Sequence, residues 1–528
     1  MASMALRRLA RDAERCMALA KALVGQLRAA GCEDAFRTIE MPAVPVLAAM
    51  EVAGMVFLPH RLVRLENDVA ARLETLRREA CAAAGGPEFN LASPEQVAEV
   101  LFTRLDLPAP PTKKGTKHPS TSEEVLEGLA DKHPAAAAIL EFRGLNKLKT
   151  TYLGRLGTHA VPAGAAATAA AGILTQGMEA ARVHAQWHQT SVRTGRLSCS
   201  RPNLQQIPKN SRGTLGTVGA SIRRAFCAAK GYTLLAADYS QIEMRVLAHA
   251  SEDRALLRLF SWDSGGGGGQ GGGDVYLLVA GKVLGKEEGQ VTPQERDQFK
   301  RVCLGVVYGM GTAQVARQLG LEPPAASRMI SQLMKAFPGF DSFVKAARRH
   351  AREHGHVSTL GGRRRHLPEI LSKDQAKRAQ AERRAVNSAI QGTAADIIKA
   401  AMVLVEERLT QWRADGNAPG GQEADWEEER GGQGAGGARS RAPFPELLLQ
   451  IHDELVFQCP ARAEDLERLK ALLQECMEEE APRLLGLRCP LSINMSVGMS
   501  WGDMRPVVRQ GCVAPPGPAP APTPTLPL

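Results

Sequence analysis

The sequence predicts an α+β fold, because strand-like and helix-like segments both occur and lie in separate blocks of the chain. Two stretches are typical of strands: the run from Thr233 to Ala237, which Asp238 follows, and the apolar arms of "ELLLQIHDELVFQC" at 446–459. Two other stretches, 1–40 and 296–311, have apolar residues at helical spacing. The two strand regions are far apart in sequence, but they can meet across one sheet.

The HDE triplet at 452–454 is the most unusual part of the strand regions. Three adjacent ionisable groups stand between apolar arms, although burying an unpaired carboxylate is costly. The triplet is therefore either a solvated turn between two strands or the polar face of one strand. Asp453 shares its parity with Ile451 and Leu455, which weakens the second interpretation because alternate strand residues share a face.

Composition limits the class of protein. A chain of 528 residues is long enough for more than one domain, and its net charge of +10 favours a polyanionic partner. Ten cysteines without a CxxC pair disfavour a zinc ribbon or a disulfide framework, and they fit a reducing compartment. No uninterrupted apolar run approaches the ~20 residues that span a bilayer, so we expect no membrane association.

The chain alternates between patterned blocks and loop-like insertions. Residues 1–40 are predicted to form an amphipathic helix rather than a transit peptide, and 47–160 to form helices with a Pro/Lys-rich break at 108–122. Ala/Gly-rich or Gly-rich composition predicts loops at 160–172, 264–274 and 414–443, and the Pro-rich tail is predicted to be disordered.

Asp238 and Asp453 are candidate metal ligands. Each follows or interrupts an apolar strand, and two such carboxylates could share two divalent cations roughly 4 Å apart, as in phosphoryl transfer. Magnesium suits this chemistry, since it accepts one or two carboxylates together with substrate phosphates. Asp238 could instead be an N-cap of the helix that follows it.

The segment "RDQFKRVCLGVVYGMG" at 296–311 is predicted to be a helix that carries an anion site. Arg296 and Lys300 lie one turn apart, where like charges are mildly unfavourable unless an anion such as a triphosphate lies between them. A solvated basic face is the alternative. Tyr308 and the following "GMG" suggest a helix end that a base or another backbone approaches closely.

These segments resemble, in order, the motifs of family A DNA polymerases. "DYSQIEMRVLAHAS" is similar to motif A, the 296–311 helix to motif B, and "QIHDELVF" to motif C. Further similarity lies in "TGRLSCSRPNLQQIP" and "AERRAVNSAIQGTAADIIKAAM", and the resemblance extends from about residue 36 to 505. Within the family, "VVYGMG" and "GRRRHLP" are among the segments that most resemble the eukaryotic DNA polymerases theta and nu.

The resemblance implies a right-hand polymerase with an antiparallel palm sheet, helical fingers and a helical thumb. The implied divisions are linker helices at 1–46, thumb at 47–180, palm at 181–242 and 445–505, fingers at 243–444, and a Pro-rich tail at 506–528. The basic run at 362–384 is expected to follow template phosphates.

The resemblance also implies roles for individual side chains. Asp238 and Asp453 would hold two Mg²⁺ ions together with the Tyr239 carbonyl, and Glu454 would help to organise the catalytic site. The residues implied to bind the dNTP are Gln241, Glu243, Arg296, Lys300, Leu304, Tyr308 and His452, of which Glu243 and Tyr308 would exclude a ribose 2′-OH. Those implied to contact primer–template DNA are Arg196, Gln205, Arg383, Asn387 and Gln391.

The sequence departs from the family pattern in two ways. Leu304 stands where the family usually has Phe or Tyr, which predicts weaker nucleotide binding and altered sugar discrimination. Only about forty residues precede the resemblance, so we expect neither a 3′–5′ exonuclease nor the helicase-like domain of polymerase theta.

The expected function is template-directed DNA synthesis without proofreading, in repair, translesion synthesis or end joining. The expected protein is a nuclear monomer, with an organelle as the alternative location and organellar replication as an alternative role. Two other classes compete: a catalytically weak DNA-binding or end-bridging protein and a two-metal nuclease. The Arg296, Lys300 and Tyr308 pattern disfavours the nuclease, which needs carboxylates but not this helix.

Overall fold

The structure is a computed structural model that describes residues 2–112, 115–162, 181–209, 213–261, 274–416 and 443–507. The loops predicted at 160–172, 264–274 and 414–443 lie wholly or mostly outside these ranges, as does the tail predicted at 506–528.

Helices form most of the described chain. The first eight are α1 (Ala2–Ala29), α2 (Glu33–Ala35), α3 (Met41–Ala53), α4 (His60–Ala84), α5 (Pro94–Ala98), α6 (Glu123–Ala130), α7 (Pro134–Leu148) and α8 (Leu156–His159). The next eight are α9 (Gly213–Arg224), α10 (Ile242–Ser251), α11 (Arg254–Ser261), α12 (Val275–Leu284), α13 (Pro293–Val307), α14 (Thr312–Leu319), α15 (Pro323–Ala336) and α16 (Pro338–His354). The last three are α17 (Gln375–Gly416), α18 (Ala463–Gln474) and α19 (Ala481–Leu484).

Wider π-helical turns extend four of these helices, and short 3₁₀ turns lie between others. The π-helical turns are Phe36–Glu40, Glu99–Arg104, Lys149–Leu153 and Glu475–Glu480. The 3₁₀ turns are Leu204–Gln206, Glu288–Gln290 and Pro368–Leu371.

The strands are short except around the predicted carboxylate site. They are β1 (Met55–Phe57), β2 (Ala160–Pro162), β3 (Ala181–Val183), β4 (Gln186–His188), β5 (Ser198–Ser200), β6 (Phe226–Cys227) and β7 (Tyr232–Tyr239). They continue with β8 (His356–Ser358), β9 (Arg364–His366), β10 (Glu446–Ile451), β11 (Glu454–Pro460), β12 (Ile493–Gly498) and β13 (Arg505–Pro506).

A five-stranded antiparallel sheet forms the centre of the fold, in the order β10-β11-β7-β12-β13. Its middle strand, β7, is buried along Leu234–Ala237, as its continuous apolar sequence requires. The chain leaves this sheet after β7 and returns to it at β10, so helices α10 to α17 are an insertion between sheet strands. The α+β class with an antiparallel sheet is confirmed, whereas the thumb, palm and fingers boundaries stay predictions.

The region predicted to be helical at 47–160 is only partly so. Residues 55–57 and 160–162 are strands β1 and β2, which join β3 and β6 in a second antiparallel sheet in the order β2-β3-β1-β6. The prediction of helices with a break at 108–122 therefore missed these two strands. Three-residue strands are too short to show the alternation that identifies a strand in sequence.

Helix α17 is the longest helix and lies in the core. It contacts α3, α10 and α16, and 83% of its most apolar window is buried within the protein. Residues 375–415 are long and apolar enough to cross a membrane, but burial of this degree is typical of a core helix.

A buried ion-pair network joins α17 to the segment that precedes α3. Lys399 Nζ lies 2.7 Å from Glu40 Oε1, and Arg363 Nη2 lies 2.7 Å from Asp396 Oδ1 while it also contacts Glu40. The side chains of Asp396 and Lys399 are fully buried. Two cations and two anions thus balance one another inside the protein, as buried charges require.

Candidate active site

The two predicted metal ligands lie at the same end of the central sheet. Strands β10 and β11 form a hairpin in which Ile451 pairs with Glu454, which leaves His452 and Asp453 as a two-residue turn. Glu454 is the register partner of Asp238 on β7, and Tyr239 N donates to Asp453 O at 3.1 Å. The turn interpretation of the HDE triplet is therefore confirmed, and the turn places Asp453 beside the end of β7.

The carboxylates at this end of the sheet are electrostatically costly. Burial raises the pKa of Asp238 to about 7, and the nearby charges of Glu454 and Asp453 add to this rise while Lys209 opposes it. Burial also raises the pKa of Asp453, with Arg196 opposing it from 3.7 Å. Concentrated negative charge of this kind attracts a cation, which would offset the cost.

This cost predicts a pH-dependent stability for the metal-free protein. A carboxyl with a raised pKa binds its proton more tightly in the folded state, so ionisation of Asp238 lowers the stability of the fold as pH rises from about 4, the unfolded pKa, to about 7, and the full loss persists above 7. We expect Asp238→Asn to raise the Tm in EDTA at pH 8, with the gain shrinking toward pH 4. Thermal unfolding of both proteins across this range checks the sign, and a Tm equal to or below wild type at pH 8 contradicts it.

Glu454 has a closer cation than Asp453 has. Its side chain is 6% exposed and lies 2.7 Å from Lys209 Nζ. Glu454 is thus neutralised by a lysine that the sequence reasoning did not single out. This pairing fits an organising role better than direct metal ligation, and that role stays a prediction.

The donor set fits magnesium bound together with a substrate. Among the described residues, no three His, Cys, Asp or Glu side chains are arranged to hold a metal ion, so a complete protein cage is not formed there. Asp238 and Asp453 still supply the one or two carboxylates that Mg²⁺ needs when substrate phosphates complete its shell. The Tyr239 hydroxyl donates to Met477 O at 2.9 Å inside the core. A metal contact from Tyr239 would therefore come from its backbone carbonyl oxygen.

Glu243 connects the sheet region to the end of helix α13. This buried carboxylate accepts from Arg196 Nη2 and from the Tyr308 hydroxyl, each at 2.7 Å, and Gln391 of α17 also acts on it. Burial raises the pKa values of Glu243 and Tyr308. The structure therefore brings together four residues that were predicted from separate motifs.

Helix α13 presents the two predicted phosphate-binding cations on one face. The Arg296 guanidinium lies 5.6 Å and the Lys300 ammonium 5.7 Å from the centre of the Tyr276 ring, within the range of cation–π attraction. Arg296 also pairs with Asp274 at 2.6 Å. The sequence reasoning missed Tyr276 and Asp274, whose only signal is an Asp before an apolar helix.

The end of helix α13 requires a glycine. Gly309 has a φ of 72°, and a Cβ at this position would lie 2.7 Å from the Cβ of Arg383 and 2.8 Å from its carbonyl oxygen. This close approach explains Gly309, the first glycine of "GMG", and places Arg383 of α17 beside it. Leu304, one turn before Tyr308, is half-buried.

Gln205 is hydrogen-bonded to the β10–β11 hairpin. Gln205 Nε2 donates to the backbone oxygen and to Oε1 of Gln450, each at 3.1 Å, and Gln450 donates to the backbone oxygen of His452. His452 has a φ of 55°, a strained conformation for a residue other than glycine. Desolvation of the ring and the charge of Arg196 lower the pKa of the imidazole, which favours its neutral form.

Two other predicted residues have distinctive environments. Gln241 has a φ of 52° where the chain turns from β7 into α10. Asn387 on α17 has a buried Oδ1 without a hydrogen-bond partner in the structure, which is rare and marks a site for a ligand or water.

A cleft of about 460 Å³ opens beside the β10–β11 hairpin. The predicted residues that line it include Asp238, His452 and Asp453, and the sequence reasoning missed three cations in its lining, Lys147, Lys209 and Arg223. Arg223 is buried, lies 3.9 Å over the Trp501 ring and has an unpartnered Nε. Nothing local in "SIRRAF" distinguishes this arginine from its neighbours.

Comparison with known families identifies the chain. The sequence model described as DNA polymerase family A matches residues 59–503, which include every residue of this site. The chain belongs to DNA polymerase family A. Its central antiparallel sheet, with one carboxylate on β7 and another in the β10–β11 turn, is thus the family A sheet.

Bacterial family A enzymes are among the similar curated proteins. DNA polymerase I of Treponema pallidum is 35% identical over 94% of this chain and 43% of that protein. The thermostable DNA polymerase I of Thermus aquaticus is 35% identical over 88% of this chain and 48% of that protein. The chain spans about half the length of the curated relatives it matches.

A solved family A structure has the same fold. The POL domain of Pol1 from M. smegmatis, in complex with DNA primer-template and dNTP, superposes with a TM-score of 0.74 and 31% sequence identity. The match covers 92% of this chain and 74% of that domain chain.

Proposed function

We propose that this protein is a template-directed DNA polymerase that joins nucleotides by a two-metal mechanism. The observation that carries the proposal is the placement of Asp238 and Asp453 at the same end of the central sheet, where burial raises both pKa values. A helix with two phosphate-binding cations and a Tyr308–Glu243 contact lies next to this site. The substrates are dNTPs and primer–template DNA.

Asp238, Asp453 and the Tyr239 carbonyl would hold two Mg²⁺ ions. When bound, these ions lower the pKa of the primer 3′-OH and stabilise the charge of the triphosphate and leaving pyrophosphate. The neutral His452 imidazole lies beside this position and can hydrogen-bond to a phosphate or to the primer end.

The remaining residues orient the nucleotide. Arg296 and Lys300 bind the β- and γ-phosphates. Arg196 fixes Glu243, and Glu243 fixes the Tyr308 hydroxyl, so the two side chains form a rigid floor under the sugar that excludes a 2′-OH. Contacts from Gln205, Arg383, Asn387 and Gln391 follow the minor groove and position the duplex without reading its sequence.

The biological role that we propose is nuclear DNA repair, translesion synthesis or end joining by a monomer. The similarity of "VVYGMG" and "GRRRHLP" to polymerases theta and nu supports this role. Microhomology-primed extension on single-stranded DNA, together with the location of the chain in cells, tests it against organellar replication.

Primer extension with four dNTPs and Mg²⁺ tests the proposed activity. Template-dependent extension supports it. Binding of primer–template DNA without extension supports a non-catalytic DNA-binding protein instead, and degradation of the primer alone supports a two-metal nuclease. The full chain is used, with an oligonucleotide that ends in a dideoxynucleotide as the control for extension.

Leu304 predicts weak nucleotide binding. We expect Leu304→Tyr to lower the KM for dNTPs about tenfold, because an aromatic ring that stacks on a base contributes roughly 1–3 kcal/mol. Steady-state kinetics with each dNTP and its ribonucleotide check both affinity and sugar discrimination. Leu304→Met, which keeps volume without a ring, is the control. A KM for Leu304→Tyr that is no lower than wild type refutes the explanation.

A further inference from the structure

The arginine that is expected to bind the triphosphate already has an anion partner. Asp274 Oδ2 accepts from Nε of Arg296 at 2.6 Å and lies 2.6 Å from its Nη2. Both side chains are roughly three-quarters buried, with 27% of Asp274 and 29% of Arg296 exposed. One carboxylate oxygen therefore occupies one of the two edges through which the guanidinium could make a forked contact with a phosphate.

The second oxygen of Asp274 has a separate task. Oδ1 accepts from Tyr276 N at 3.0 Å and so caps the first turn of helix α12. A cap needs only an oxygen acceptor, and asparagine caps as well as aspartate. The negative charge of Asp274 is thus not needed for capping, and its observable effect is on Arg296.

The neighbouring cation, Lys300, has no carboxylate partner among the described residues. Its ammonium group makes a cation–π contact with Tyr276. Asp274 therefore neutralises Arg296 and leaves the charge of Lys300 available to an approaching anion. A dNTP carries several negative charges, so it competes with a single carboxylate for Arg296.

We propose that Asp274 is the counterion of Arg296 in the nucleotide-free protein and that the triphosphate of an incoming dNTP displaces it. Asp274 then sets the affinity for dNTPs by opposing their binding, and Arg296 is released only to a ligand of greater negative charge than a carboxylate. This inference rests on the proposed function, and it adds a residue that determines nucleotide affinity without contacting the nucleotide.

The experiment is the substitution Asp274→Asn, which keeps the cap oxygen and removes the charge. We expect the KM for dTTP to fall about fivefold, the affinity equivalent of a partly exposed ion pair, with kcat little changed. The affinity for dTTP, measured at equilibrium on a primer that ends in a dideoxynucleotide, should tighten by the same factor. A merely structural role for Asp274 would leave both quantities unchanged.

Two further variants separate displacement from a general charge effect. Asp297→Asn removes an equal charge from the same helix, where Asp297 pairs with Arg301 at 2.8 Å rather than with Arg296, and it should leave the KM unchanged. In an Arg296→Ala background, Asp274→Asn should have no further effect, because the counterion acts through Arg296.

The outcomes are distinct. An unchanged or higher KM in Asp274→Asn overturns the inference, and so does an equal fall in Asp297→Asn or in the Arg296→Ala background. If the wild-type chain extends no primer, the proposed function fails instead, while the equilibrium affinity for dTTP still tests displacement of Asp274.

Discussion

Asp453→Ala is expected to lower primer extension by at least about a thousandfold, because losing several kcal/mol of transition-state stabilisation costs three or more powers of ten in rate. The carboxylate of Asp453 is implied to hold both metal ions beside Asp238. Its backbone oxygen, which accepts from Tyr239 N, remains in the variant. The hairpin should therefore keep its geometry, and DNA binding should stay close to wild type.

Single-turnover extension and primer–template binding should be measured on the same preparation. Asp341→Ala is the matched control, since Asp341 pairs with Lys345 on the surface of α16 and its loss should leave extension unchanged. Extension by Asp453→Ala within about tenfold of wild type would argue against a metal role for Asp453, because ligand loss costs far more than 1.4 kcal/mol.

Lys399→Met is expected to destabilise the fold by about 3–5 kcal/mol, the cost of breaking a buried ion pair from one side. Methionine keeps most of the volume of the fully buried lysine, so a cavity contributes little. The loss arises because Glu40 and Asp396 are left with one cation, Arg363, between two buried anions.

Urea unfolding of Lys399→Met and of two further variants tests this interpretation. Lys345→Met, which breaks an exposed pair, should cost about 1 kcal/mol or less. Glu40→Gln combined with Lys399→Met restores neutrality around Arg363 and Asp396, and it should recover part of the lost stability. The buried network would not be a stabilising unit if Lys399→Met costs no more than Lys345→Met.

Sequence alone predicted the parts of the fold and site that depend on local spacing. The turn at His452 and Asp453 and the shared face of Arg296 and Lys300 both follow from residues within one hairpin or one helix. The carboxylate Asp238 was visible because it ends a continuous apolar run. In each case the signal and the structure that it predicts lie within about ten residues of one another.

The remaining features depend on residues that are distant in sequence. Glu40 and Lys399 are 359 positions apart in the sequence, and Lys209 and Glu454 are 245 positions apart. No local pattern in the sequence indicates that such partners meet. Strand β1 is likewise stabilised by β3 and β6 rather than by its own three residues, so its sequence could not distinguish it from a helix end.

The place of β7 in the central sheet has a consequence for synthesis of the protein on the ribosome. Both neighbours of β7 in the sheet, β11 and β12, lie after the long helical insertion in sequence. A nascent chain that has emerged only as far as α17 carries Asp238 on a strand whose two edges are still unpaired. Unpaired strand edges attract other strands, so we expect the nascent chain to be prone to aggregation and to bind chaperones until β11 and β12 have emerged.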